Sequence, residues 1–266
     1  MANASAHRLR TWFASPAGAG VLAEEVQVLT GIVRRVHGDA LLWLGCDQGL
    51  DTVVRGSMVR HRIVGALPAV EVDTEQPVIR CVPDELPFAN GSMDAVVLRH
   101  ALETAEDPRT VLREAARVIA PGGRLVIATF NPVSLWGLRR LYAGAVPDAF
   151  RGLKLIAPYR LIDWLTLLGF DLAAASPDYR AYGLPFSDRS KDRLELRHNA
   201  FERWLIRRRV PFGGIMFVAA TKRAFAGRMQ RERVTRLASP PFGRPAYNRG
   251  NVIKLPVSHS RRGRSD

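Results

Sequence analysis

The chain has 266 residues and a formal net charge of +14, with 39 Lys and Arg against 25 Asp and Glu. Its hydrophobic share of 47% suits one α/β domain with a tail, or at most two small domains. No apolar run approaches the roughly 20 residues of a membrane span, so a membrane is not among the expected partners.

The first residues, MANASAHRLRTWF, lack the apolar centre of a secretory signal. The two cysteines, Cys46 and Cys81, have no metal-site spacing. A buried, reduced pair and a cytoplasmic setting are the expectation. Between Lys222 and Asp266, twelve basic residues face only Glu232 and Asp266. Most of the net charge therefore belongs to the tail, which is as consistent with a solubilising extension as with contact to nucleic acid.

Taken in order, residues 1–19 form an N-terminal segment, and 20–36 repeat apolar positions at helical spacing (Val21, Leu22, Val26, Leu29, Ile32, Val33, Val36). ALLWLGC (40–46) predicts a buried strand meeting a turn. HRIVGAL (61–67) and QPVIRCV (76–82) predict two weaker strands. MDAVVLRH (93–100) is a further strand. The helix after it starts at Asp107 as N-cap with Pro108 at its first position. Its inner face holds Val111, Leu112, Ala115, Ala116 and Ile119, and Pro121-Gly122-Gly123 is expected to end it.

RLVIATF (124–130) predicts a buried strand, and LIDWLTLLGF (161–170) a helix stopping near Gly169. A strand at 170–175 is expected to pair as a closing hairpin with GIMFVAATKR (214–223). Between them lies a basic helix at 199–209. Beyond 224 the Pro, Gly, Arg and Ser composition predicts disorder. Alternating strands and helices imply a parallel sheet with helices on both faces, and a ligand crevice outside the strands' carboxyl ends.

The segment LPFANGSMDAVVLRHALE (86–103) resembles the LPF…S-D-V-V…H-LE segment of class I methyltransferases of the type 11 group, which use S-adenosylmethionine. DPRTVLREAARVIAPGGRLVI (107–127) resembles that group's next helix, its PGG turn and its fifth strand. FNPVSLWGLRRL (130–141) and LIDWLTLLGF resemble a proteobacterial subgroup of methyltransferase-like proteins. The resemblance covers residues 20–223 and implies a Rossmann-like, seven-stranded sheet.

It also implies S-adenosylmethionine as cofactor and a small molecule or biosynthetic intermediate as methyl acceptor. Gly45, Cys46, Asp47 and Gly49 align with the family's glycine-rich turn and would line the cofactor's amino-acid end. Asp84, Glu85 and Leu86 would lie near the adenine, and Leu98, Arg99 and His100 beneath the sulfonium. His100 and Asn131 are the candidates for substrate contact. His100 is either a proton acceptor or a turn cap, and Asn131 either a substrate contact or an Asx-type turn. Trp136 is either a pocket wall or plain packing.

Four family features depart from the pattern. Trp43 stands where the family has an acid, Asp47 replaces the central glycine, and the second strand ends without a carboxylate, Glu71 and Asp73 coming too late. Val82 stands where the family often has an acid for the adenine amine, although Asp84 and Glu85 are near. Only about 29 residues separate Gly49 from Val78, so a helix there is expected to be shortened or lost. These departures motivate a second reading: a methyltransferase fold serving as a binding or regulatory module, with the basic tail on nucleic acid. No feature sets an oligomeric state.

Overall fold

The computed structural model describes residues 2–68, 70–134, 137, 149–174, 177–182, 200–208 and 210–224. The basic tail past residue 224, Trp136 and the stretch 183–199 lie outside them.

At the centre of the sheet, β1 (Ala40–Gly45) is apolar because both of its faces are covered. Leu41 and Trp43 enter one core layer, Leu42 and Leu44 the other, the period of two that a pleated strand imposes. Strands β2 (His61–Ala66), β3 (Val78–Arg80), β4 (Met93–Arg99) and β5 (Ile119–Phe130) run parallel to it.

The other edge holds β6 (Phe170–Leu172), β7 (Asp178–Arg180) and β8 (Ile215–Lys222), with β8 antiparallel to β5. The sheet order is β3-β2-β1-β4-β5-β8-β6. β6 and β7 both pair with β8, along successive parts of it. The closing hairpin forms as expected, and among the described residues β7 makes an eighth strand where seven were expected. Strand order reverses between β1 and β4, so their carboxyl ends open onto a crevice.

Among the described residues, seven helices flank the sheet: α1 (Ala2–Ala14), α2 (Pro16–Val33), α3 (Leu50–Arg55), α4 (Ala101–Thr104), α5 (Pro108–Val118), α6 (Pro158–Leu167) and α7 (Ala200–Arg207). The segment 1–19 is not separate from the domain. Leu9, Trp12 and Phe13 of α1 are buried in the layer that also holds Leu29, Val33 and Phe130. Each such side chain contributes about 1.5–3 kcal/mol by burial. Composition alone hid this, because the large apolar residues of α1 are only Leu9, Trp12 and Phe13, and all three are buried.

The capping of α5 is as the sequence implies: Asp107 accepts a hydrogen bond from the Arg109 amide at 2.9 Å, with Pro108 in the first turn. Its end is not. The helix stops at Val118, and Ile119 pairs with Met93, so Pro121-Gly122-Gly123 lies within β5. A register shift between Met93 and Ala95 absorbs the extra residues, and Gly122 takes a φ of 82°. The crossover from β1 to β3 is short, as expected: α3 has six residues, and no helix is present among the described residues of 67–77.

Candidate functional site

The turn after β1 is built on two glycines. Gly45 has φ 102°, and a Cβ there would lie 2.0 Å from the Arg99 carbonyl oxygen; Gly49 has φ 76° and precedes α3. Both positions need a residue free to enter the left-handed region. The Cys46 amide donates to the Arg99 carbonyl at 2.9 Å, tying the turn to the end of β4.

Two departures from the family pattern have work in this turn. The buried Trp43 indole donates to the Cys46 carbonyl at 2.8 Å. Asp47, also buried, accepts from the Asp73 amide at 3.1 Å and forms an ion pair with Arg10 of α1 at 3.2 Å. Its carboxylate thus joins the turn to α1 and to the coil after β2.

A pocket lies at this switch point. It is lined by the turn (Gly45, Asp47), the end of β2 (Gly65, Ala66), Thr104 of α4 and Arg10 of α1, among others. Its cavity volume is about 40 Å³, room for a few waters and too little for a nucleoside. Arg10 and its bond to Asp47 close one side of the pocket. The end of β2 carries no carboxylate, and Glu71 and Asp73 are exposed on the following coil.

Beneath the turn sits a cluster of four charged residues, each at most 1% exposed: Glu25, Arg99, His100 and Glu103. Glu25 Oε2 accepts from Arg99 Nε at 2.7 Å. Its Oε1 lies 2.8 Å from His100 Nε2, and Glu103 Oε1 lies 2.8 Å from His100 Nδ1. Burial pulls the His100 pKa down, but Glu25 and Glu103 outweigh it and raise it from 6.5 to about 9. For Glu25, burial acts upward, but Arg99 and His100 win and hold its carboxyl below the usual range. Two carboxylates, one guanidinium and one imidazolium form a neutral set, the condition under which such burial is tolerable.

His100 is therefore not the expected proton acceptor. Both ring nitrogens face carboxylates, and the imidazolium has no lone pair to offer. Its backbone, at φ 53°, nonetheless borders the pocket beside Ala101. Asn131 is likewise occupied. Its amide nitrogen donates to the Pro211 and Gly213 carbonyls, and its oxygen accepts from the Val133 amide at 3.0 Å. The turn reading describes it, not substrate contact.

Asp84 and Glu85 are exposed and do not line the pocket, which Pro83 reaches instead. Leu86 is buried, its amide donating to Glu114 and its carbonyl accepting from Arg117. Leu98 is core and Arg99 lies under the turn. Gly45, Cys46 and Asp47 do border the pocket, and burial pushes the Cys46 thiol up to about 12, so it stays neutral. Glu25 was missed. Val21, Glu25, Leu29 and Val33 form one buried ridge of α2, and an acid on such a ridge is the signal that could have found it.

Residues 60–127 match the family model described as "Methyltransferase domain". A protein of Escherichia coli, YafS, is 38% identical over 109 residues, covering 41% of this chain and 44% of that protein. A malonyl-[acyl-carrier protein] O-methyltransferase of Halorhodospira halophila is 38% identical over 122 residues, with 41% of each chain covered. The chain thus spans less than half the length of these curated relatives. The fold of an S-adenosylmethionine-dependent methyltransferase from Thermotoga maritima superposes with a TM-score of 0.56 at 14% identity, covering 82% of this chain and 95% of that one. With that sheet order, the chain has the class I methyltransferase fold, and its residues 60–127, which include the central strand β4, are similar to the type 11 methyltransferase domain.

Proposed function

We propose that this chain transfers a methyl group from S-adenosylmethionine to a carboxylate-bearing small molecule or carrier-bound intermediate. The observation that carries the reading is the pocket at the β1–β4 switch point, lined by Gly45, Cys46 and Asp47 of the turn but not by Gly49, which packs toward Val26 of α2. Gly45 would let backbone approach the cofactor, and Asp47 would face its amino-acid end. The cofactor supplies a methyl group made electrophilic by the positive sulfur to which it is bonded. The pocket must open to admit it, with Arg10 leaving Asp47.

The acceptor class follows from what the described lining lacks. Asp47 accepts from the Asp73 amide and would face the cofactor's amino-acid end, and His100 has no lone pair free. The Thr104 hydroxyl lies within hydrogen-bond distance of the His100 and Ala101 carbonyls. None of these groups is placed to remove a proton from an acceptor. A carboxylate needs no such help: its oxygen forms the new bond to the methyl carbon, the carbon–sulfur pair goes to sulfur, and no proton is released. The similarity to the malonyl-[acyl-carrier protein] O-methyltransferase of Halorhodospira halophila supports the same class.

One observation favours a second reading, a binding module on the same fold. The pocket is small, closed by Arg10, and bare of an acceptor at the end of β2. Titration calorimetry with S-adenosylmethionine and S-adenosylhomocysteine separates the two. The expected dissociation constant is roughly 10–100 μM, or about −7 to −5.5 kcal/mol. No heat at millimolar cofactor would remove the enzyme reading and leave the module.

A further inference from the structure

We propose that Arg99, held by Glu25, is the positioning residue that sets the shape of the cofactor-binding turn from below. The inference rests on the reading of that turn as the cofactor site.

The turn has two carbonyls, those of Cys46 and Gln48, that face the Arg99 side chain. Arg99 Nη1 donates to both: to Cys46 O at 3.3 Å and to Gln48 O at 3.0 Å. One guanidinium nitrogen therefore fixes two peptide planes of a five-residue turn. The backbone of the same residue fixes a third point, since its carbonyl accepts from the Cys46 amide at 2.9 Å. Trp43 adds a second donor to the Cys46 carbonyl. A turn whose carbonyls are drawn down presents its remaining amides upward, the orientation a carboxylate-bearing ligand needs.

Arg99 cannot wander from this position. Glu25 Oε2 takes its Nε at 2.7 Å, and the Phe13 ring of α1 lies 4.4 Å from its guanidinium carbon. Glu25 is itself oriented by its second oxygen on His100, which Glu103 holds from the other side. Glu103 Oε1 also accepts from the Phe130 amide at 2.8 Å, anchoring the set to the end of β5. A buried guanidinium held so firmly would be a costly way to make ordinary core. Its geometric result is that the turn's two inward carbonyls are satisfied without water.

The test is Arg99→Lys, which keeps the charge opposite Glu25 but loses the planar fork. Hydrogen exchange reads the turn directly through the Leu50 amide, bonded to the Asp47 carbonyl at 2.9 Å. Leu42 and Leu44 in β1 report the sheet. The expected result is exchange about tenfold faster at Leu50 with the β1 amides unchanged, and a dissociation constant for S-adenosylhomocysteine about tenfold higher. A Leu50 amide as protected as in the parent overturns the proposal, as does a loss spread evenly over β1, or an unchanged dissociation constant. Should Arg99→Lys not fold, Glu25→Gln is measured in the same way. It retains an oxygen for Arg99 Nε, so the same local loss is expected in weaker form, and its absence overturns the proposal. A parent protein that binds no cofactor would instead fell the methyltransferase reading, while the exchange experiment still decides the role of Arg99.

Discussion

His100 should give this protein a stability that declines through the mildly alkaline range. The perturbation is pH, with His100→Gln as the control. In the folded chain the imidazolium is held by Glu25 and Glu103, which raise its pKa from 6.5 to about 9. A raised pKa means that the folded state keeps a proton the unfolded state has lost. The contribution is complete below pH 6.5 and gone once pH passes about 9. At about 1.4 kcal/mol for each pH unit, that interval corresponds to roughly 3 kcal/mol, an upper figure for one side chain. Above pH 9 a second loss begins, since the Cys46 thiol ionises readily only when unfolded. The diagnostic window therefore ends there. Urea midpoints measured across it should fall for the parent and stay nearly level for His100→Gln. The variant should also be less stable at neutral pH, because two buried carboxylates lose their cation. A parent curve parallel to that of the variant would refute the doubly clamped imidazolium.

The two glycines of the turn should respond unequally to alanine. At Gly45 the new Cβ would sit 2.0 Å from a backbone oxygen that also receives the Cys46 amide; with the left-handed strain added, a loss of at least about 2 kcal/mol and of cofactor binding is expected in melting and calorimetry. At Gly49 the neighbour is the Val26 side chain at 2.5 Å, which can shift, so the cost should be smaller, and equal losses would contradict the rigid contact at Gly45. Arg10→Ala should release Asp47 and remove a positive charge from the pocket. S-adenosylmethionine should then gain more affinity than the uncharged-sulfur S-adenosylhomocysteine, by about 1 kcal/mol or less for a partly exposed group; an unchanged ratio in calorimetry would place Arg10 outside the site.

The alternation of strands and helices was legible because it rests on local periodicity. The strand 40–46, the Asp107-Pro108 helix start and the closing hairpin all follow from patterns within a dozen residues. The Pro-Gly-Gly stretch misled for a physical reason: it marks a bend as readily inside a strand as after a helix, and pairing of Ile119 with Met93 decided between them. The Gly45–Gly49 turn was legible, whereas its supports were not. Arg99 and Glu25 are 74 residues apart in the chain, and nothing local announces that two charges will meet in a core. Asn131 carried two readings, and the Gly213 and Pro211 carbonyls, a tertiary matter, selected the turn.

The departures from the family pattern are connected by one electrostatic argument. A carboxylate at the end of β1 or β2 would stand at the pocket wall and need either a ligand or water to satisfy it. This chain keeps no such group at either place, and Trp43 satisfies the Cys46 carbonyl with a neutral donor instead. Its charges lie one layer deeper, matched to one another in the Glu25–Arg99–His100–Glu103 set. The turn is then stiff without a ligand, and ligand affinity rests on backbone groups and on Asp47. Each missing side-chain acceptor forgoes about 1–3 kcal/mol of binding, while the ordering of the turn is already complete before binding and costs the ligand little. Those two effects oppose each other, which is why a micromolar dissociation constant rather than none is expected of a site with so few ligand-directed charges.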